Sequence, residues 1–381
     1  MATFDAISHT IRCDILSKTH VADNLAMRKE VSRTFTFPTK EMYDYATLAT
    51  LGDDVYFEPS TKALEDHVAQ ITGKQAGLFL PSGTASNQIA LRTHLMQPPY
   101  SVLCDQRSHI NLYEAGGAAF HSGAALTAVI PSNGHHLTLE DVQQHIVLGN
   151  NNHNAPTAVI ALENTLRGTI FPQDEIIAIS DYAHSQGIKM HLDGARIWHV
   201  AAQTETPLKE LCDPFDSVHP SVLVLAGPTA FIDKARWMRK LFGGGMRQTG
   251  ILAASAAYAL TYNFPLLPAV HALARRLEKG LEEIGVEVTS RAETCMLFYD
   301  PTSIGTTFDE IADRASDLPE PLILGDARLV VHIQTSESAV DDLLSIIRQL
   351  AEEKQATGFV KHAAKRPKVQ SEMYAQRETK K

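Results

Sequence analysis

The chain has 381 residues, with 34 Lys and Arg against 44 Asp and Glu, and four Cys. That length suits one large and one small domain, and 44% hydrophobic with 20% charged residues excludes a disordered chain. The net charge of −10 argues against general nucleic-acid binding, and the scattered Cys13, Cys104, Cys212 and Cys295 exclude a disulfide scaffold or a thiolate zinc site.

The cysteine pattern suits a reducing compartment. No apolar run is read as long enough to span a membrane, and MATFDAISHTIRCDIL lacks the regions of a secretory signal. The expectation is a cytoplasmic protein with neither membrane nor nucleic-acid partners.

In chain order, residues 1–33 match no recognisable element. Over about 60–80, Leu64, Val68 and Ile71 recur at helical spacing, and Gly73 is a suitable stop. A short strand, Ala76–Leu80, then meets Pro81-Ser82-Gly83-Thr84, and a helical pattern follows through Ile89, Leu91 and Leu95. A strand that delivers a small turn to a helix N-terminus is a common anion site.

The clearest unit runs from Thr157 to Arg196. Thr157–Leu162 reads as a buried strand, Asp174–His184 as an amphipathic helix ending at Gly187, and Ile188–Leu192 as a strand closing on Asp193-Gly194. Strand–helix–strand implies a parallel sheet, whose ligands sit beyond the carboxyl ends of the strands. Asp193 and Ser82-Gly83-Thr84 both fall at such ends.

After Pro265 a helix over about 268–284 leads to strands Cys295–Tyr299 and Arg328–His332 and a final helix over about 337–353. This reads as a small α+β domain. From Lys354 onward eight Lys and Arg face two Asp and Glu, a net of +6 that leaves −16 for the rest. The tail reads as a solvated extension, although KRPK alone also fits a polyanion patch.

Each site signal is modest alone. Ser82-Gly83-Thr84 is also an ordinary helix cap, Asp193 also an N-cap, His109 also a core histidine, and Gly243-Gly244-Gly245-Met246-Arg247 also a loop. Together they are more specific. An anion-binding turn, an imidazole to stack, and a strand-end Asp to keep a pyridine nitrogen protonated are what pyridoxal phosphate requires.

The runs GDDVYFEPSTKALE, FLPSGTASNQIAL, SHINLYEAGGAA, ALENTLRGTIFP, HLDGARIWH and KLFGGGMRQTGILAA resemble the L-threonine aldolases of the β-eliminating lyase family, over about residues 34–353. The resemblance implies an α/β fold: a fold-type-I, aspartate-aminotransferase-like large domain with a mainly parallel sheet over 34–265, and a small α+β domain over 266–353. Residues 354–381 form the basic tail.

The resemblance further implies roles. Ser82, Gly83 and Thr84 grip the phosphate of pyridoxal 5'-phosphate. His109 stacks on the ring and takes part in proton transfer, Asp193 pairs with the ring nitrogen, and Arg196 approaches the ring hydroxyl. His153 matches a second catalytic histidine. Ser32 and Arg328 match the groups that bind the substrate carboxylate, Arg328 through its fork. Tyr56 and Arg247 look like residues lent across a dimer interface, so a homodimer or homotetramer with shared active sites is expected. No metal is implied. The implied reaction is retro-aldol cleavage of L-threonine or L-allo-threonine to glycine and acetaldehyde, a step of threonine catabolism and glycine biosynthesis. The alternatives are an amino-acid racemase, such as an alanine racemase, and a catalytically inactive subunit.

Two runs depart from the family pattern. The Schiff-base lysine should stand in a Ser-Lys-Gly run after FDSV, yet no lysine occurs between Lys209 and Lys234. About ten residues are missing there, and with them an inner strand of the sheet is expected to go. Lys234 and Lys240 belong to the following helical run. At the N-terminus, the family's Arg-Ser-Asp-Thr is Val31-Ser32-Arg33-Thr34 here.

Overall fold

The computed structural model describes residues 36–149, 151–220 and 223–359. Ser32, the first 33 residues and all but the start of the tail lie outside the described residues. The chain divides into two compact units, one holding Phe37–Arg276 with Ser290–Leu297, the other holding Leu277–Thr289 with the chain from Phe298.

The larger unit opens with α1 (Lys40–Ala46) and α2 (Pro59–Ile71). Pro59 sits at the start of α2, where a missing N–H costs nothing, and the Glu58 carboxylate accepts from Ser60 N and Thr61 N. Leu64 and Val68, one turn apart, are buried, and Gly73 takes the left-handed conformation that ends the turn (φ 70°).

A seven-stranded sheet follows: β1 (Ala76–Phe79), β2 (Ser101–Asp105), β3 (Ala125–Val129), β4 (Thr157–Glu163), β5 (Lys189–Asp193), β6 (Ser217–His219) and β7 (Val224–Gly227). Its order is β1-β7-β6-β5-β4-β2-β3. The pairs from β3 through β6 are parallel, and β7 runs antiparallel to both β1 and β6. β2 and β4 carry near-continuous apolar runs because they are covered on both faces. One face buries Leu103, Ile160, Met190 and Val218 under α7 (Gln173–Ser185), the other Val102, Cys104 and Val159 beside α3 (Gly83–His94).

This corrects one expectation. The shortened stretch after FDSV does not remove a strand. β6 and β7 are both present, separated in sequence by residues 220–223. A parallel pair needs a long crossover, whereas β6 and β7 are antiparallel and close with a few residues.

The remaining large-unit helices include the short α4 (His109–Leu112) and α5 (Gly117–Ser122), then α6 (Leu139–His145), α8 (Ile197–Thr204), α9 (Leu208–Cys212), α10 (Thr229–Leu241) and α11 (Gly250–Tyr258). A π-turn over Ala259–Asn263 and a 3-10 turn join α11 to α12 (Leu267–Ile284). That helical run, Gly250–Ile284, is long and apolar enough to cross a membrane by length and composition. The sequence reading missed it because small residues such as Ala253, Ala254, Ala256 and Ala257 carry much of its apolarity. Within the larger unit Ala253 and Ala254 are buried, while Ile251, Leu252 and Tyr262 are exposed.

In the smaller unit, β8 (Glu287–Ser290), β9 (Met296–Asp300) and β10 (Arg328–Val330) form a sheet of order β10-β9-β8. It is joined by α13 (Phe308–Ser316) and α14 (Glu337–Ala356). Gly280 of α12 lies against Leu344, whose Cδ1 would be 2.4 Å from an added Cβ, so a larger residue there would require the Leu344 side chain to shift.

Candidate active site

The site grows from the carboxyl ends of β4, β5 and β6. Parallel register sets Glu163 beside Asp193, and Asp193 beside His219. All three are strand-terminal because the chain turns just past each of them. Asp193 Oδ1 accepts from the N–H of Ala195, which shapes the turn that delivers Arg196 to the start of α8.

α3 points its N-terminus at the same edge. Ser82 Oγ caps the helix by accepting from Ala85 N, and the next amides, of Gly83 and Thr84, lie in the first turn, where N–H groups have no helical acceptor. Gly83 packs closely on this edge, since a Cβ there would lie 3.0 Å from His219 Nε2, and the ring would have to give for a side chain to fit.

His109 closes the group. Its backbone N–H donates to Glu163 Oε2 at 2.8 Å, and its ring Nδ1 lies 2.7 Å from Glu114 Oε1. The hydrogen bond to Glu114 raises the His109 pKa above its ordinary value, against a smaller desolvation effect. Burial, with Asp193 beside it, pushes the Glu163 carboxyl up to about 8. Burial also lowers the His219 pKa, and Asp193 opposes it. His219 Nδ1 is buried without a hydrogen-bond partner among the described residues.

Donor atoms of His109, Glu114 and Asp193 lie within 4.8 Å of one another. That spacing would admit a cation, but His109 Nδ1 is already bonded to Glu114, and Asp193 Oδ2 to Asn87.

Of the residues singled out from sequence, His109 and Asp193 are linked through Glu114 and Asn87, and Gly83 lies beside His219. Ser82 and Thr84 flank Gly83, and Arg196 lies close enough to Glu163 to lower its pKa. His153 is not brought in. It is exposed in a turn before β4, at the amino end of that strand, with its N–H on Asn151 Oδ1. The seven residues of β4, at about 3.3 Å each, hold it roughly 20 Å from the carboxyl edge.

Tyr56 and Arg247 are brought to one place by Asp53. Asp53 caps the turn containing Tyr56, pairs with Arg247 in an isolated bridge, and lies 3.1 Å from its Nε. Tyr56 is 81% exposed. Arg328 begins β10 in the smaller unit.

Sequence reasoning missed Asn87, Glu114, Glu163, His191 and His219. Glu163 and His219 were accessible by the strand-end logic that found Asp193. Asn87 and Glu114 lie within the runs FLPSGTASNQIAL and SHINLYEAGGAA, but the bonds Asn87 makes to Glu114 and Asp193 join positions distant along the chain.

Residues 31–302 match the family described as Beta-eliminating lyase. A low-specificity L-threonine aldolase of Saccharomyces cerevisiae is 46% identical over 281 residues, covering 71% of this chain and 73% of that one. An alanine racemase of Cochliobolus carbonum is 34% identical over 337 residues, covering 84% and 86%. The structure of Leishmania major threonine aldolase matches with a TM-score of 0.70 at 18% identity, covering 83% and 97%. The fold is thus the α/β fold of that enzyme, and with most of its length matched, the chain belongs to the β-eliminating lyase family.

Proposed function

We propose that the protein is a pyridoxal-phosphate-dependent lyase that cleaves threonine-type β-hydroxy-α-amino acids to glycine and an aldehyde, acetaldehyde for threonine. The observation that carries this reading is the convergence of Asp193, His109 and the α3 N-terminus on one edge of the sheet.

The residues present fit the cofactor by their chemistry. The first-turn amides of α3 suit a phosphate dianion. Asp193 offers a carboxylate at a buried strand end for a protonated ring nitrogen. His109 is half-exposed, with its ring anchored by Glu114. Arg196 supplies a cation for the ring hydroxyl. The cofactor supplies an electron sink when bound.

The fit is to a noncovalently held cofactor. No lysine stands between Lys209 and Lys234. Lys234 Nζ contacts Met96 Sδ at 2.5 Å, and Lys240 lies beside Gly245. Both are on α10, in the helical run after β7. His109, with its raised pKa, is the group assigned to hold and return the proton of the substrate hydroxyl. Arg328 is assigned the substrate carboxylate on the family resemblance alone.

Self-association is part of the proposal. Tyr56, Phe57, Ile251, Leu252 and Tyr262 form exposed apolar surface on the larger unit, and the resemblance assigns Tyr56 and Arg247 to a neighbouring copy. A cytoplasmic location is supported by Cys104, Cys212 and Cys295, all buried and unpaired.

The test is incubation of purified protein with L-threonine and added pyridoxal phosphate, scoring glycine and acetaldehyde. Release of both supports the reading. D-alanine from L-alanine without aldehyde replaces it with the racemase reading, which the named activity of the 34% identical relative suggests. Neither product, together with co-purification of a lysine-bearing relative, replaces it with the inactive-subunit reading, which the missing lysine favours. Borohydride treatment of the loaded protein should leave no cofactor covalently attached.

A further inference from the structure

A continuous hydrogen-bond chain, buried except at its His94 end, runs behind the site. His94 Nε2 lies 2.7 Å from Ser217 Oγ, and Ser217 Oγ lies 2.8 Å from His191 Nδ1. His191 Nε2 lies 3.1 Å from Asn87 Oδ1. Asn87 Nδ2 donates to Asp193 Oδ2 at 2.7 Å and to Glu114 Oε1 at 2.8 Å. The elements joined are α3, β5, β6 and the segment after α4.

The direction of every bond follows from the chemistry of its ends. Two carboxylate oxygens can only be met by the two hydrogens of the Asn87 amide nitrogen, so Asn87 Oδ1 must accept. His191 Nε2 therefore donates. His191 is fully buried, and its pKa lies well below the usual 6.5, so its Nδ1 carries no proton and accepts from Ser217. Ser217 has one hydrogen, now used, so His94 Nε2 donates to its oxygen. Burial lowers His94 to about 4, which keeps it neutral while it does so.

We infer that His94, Ser217, His191 and Asn87 form a one-directional positioning relay that fixes the Asp193 and Glu114 carboxylates, and through Glu114 the His109 ring. Both relay histidines are neutral Nε2–H tautomers. Without His191 as donor, the Asn87 amide is free to turn and present oxygen to two carboxylates, which would push them apart. None of the four residues needs to touch cofactor or substrate. The inference deepens the pyridoxal phosphate reading and rests on it for the role of Asp193, whereas the tautomers do not depend on it.

The test uses the full chain labelled with 15N-histidine, with His94→Phe and His191→Phe to assign the two rings. Nε2–H tautomers that do not titrate between about pH 5.5 and 8 are expected for both. A second measurement follows binding of 4-deoxypyridoxine 5'-phosphate, which lacks the aldehyde and reports ring-nitrogen protonation by ultraviolet absorbance. His191→Phe and the milder Ser217→Ala should each weaken its binding about fivefold, the worth of one net hydrogen bond. Ser217→Ala should also mix the His191 tautomers. An Nδ1–H or titrating His191 in the wild-type protein, or two variants that bind as tightly as wild type, would overturn the relay. Failure of the wild-type protein to bind the probe would instead overturn the cofactor reading, and the tautomers alone would then decide the relay.

Discussion

His109 Nδ1 lies 2.7 Å from Glu114 Oε1, although the Glu114 side chain is fully buried and that of His109 is 42% exposed. A half-exposed imidazole is thereby tied to a carboxylate that cannot move. The bond raises the His109 pKa, and the sign for stability follows. A histidine charged more readily in the folded chain stabilises it fully below the unfolded value of about 6.5, and that contribution fades as pH rises through the higher folded value. The His109 titration midpoint, read by NMR, should lie above 6.5, and Glu114→Gln should bring it down. An unchanged midpoint in the variant would remove Glu114 as the cause.

Glu163 works in the opposite sense from an ordinary surface carboxylate. Its folded value of about 8 lies far above the usual 4.5, so between those limits the folded chain holds a proton that the unfolded chain has released. Stability therefore falls as pH rises through that window. Glu163→Gln keeps an acceptor for the His109 N–H and cannot ionise. It should melt close to wild type at pH 5 and above it at pH 8, by about 2 °C or more for roughly 1 kcal/mol. A variant that loses stability at pH 8 would show that the carboxylate is ionised and needed there.

Two arginine–aspartate pairs near the Gly-rich loop should differ sharply in worth. Arg239 is 3% exposed, bonds Asp54, and donates to Phe79 O at 2.8 Å. Asp54 also accepts from Met246 N at 3.2 Å. Arg239→Ala leaves a buried carboxylate without its partner and should cost about 3–5 kcal/mol in urea unfolding. Arg247, whose side chain is 78% exposed against Asp53, should cost below about 1 kcal/mol when changed to Ala. Equal losses would contradict the burial argument.

Gly250 opens α11 where the chain passes the loop before α2. A Cβ there would lie 2.4 Å from the backbone oxygen of Thr50 and 2.9 Å from Glu58 Oε1. Backbone cannot swing aside as a flexible side chain can, and Glu58 is itself the cap of α2. Gly250→Ala should lower stability by about 1–3 kcal/mol. Gly245→Ala, whose nearest neighbour would be Lys240 Cδ at 3.4 Å, should be tolerated. Thermal melts of the two variants side by side check the pair.

The sequence alone determined what periodicity and strand ends can carry. Thr157–Glu163, the amphipathic helix after it and the strand ending at Asp193 were legible because apolar runs and breakers are local signals. Asp193, His109 and the Ser82-Gly83-Thr84 turn followed from the strand-end rule and from the resemblance.

What tertiary structure decided is what depends on register and on distant pairs. The presence of both β6 and β7 was invisible, because nothing local shows that the two strands run antiparallel and can be joined by a few residues. The placement of His153 at the amino end of β4 was equally hidden, since sequence proximity to a strand does not say which of its ends the residue lies beside. Asn87 joins Asp193 and Glu114 across 106 and 27 positions of chain. A buried polar side chain reads as an ordinary helix residue until folding supplies the partners that its desolvation requires.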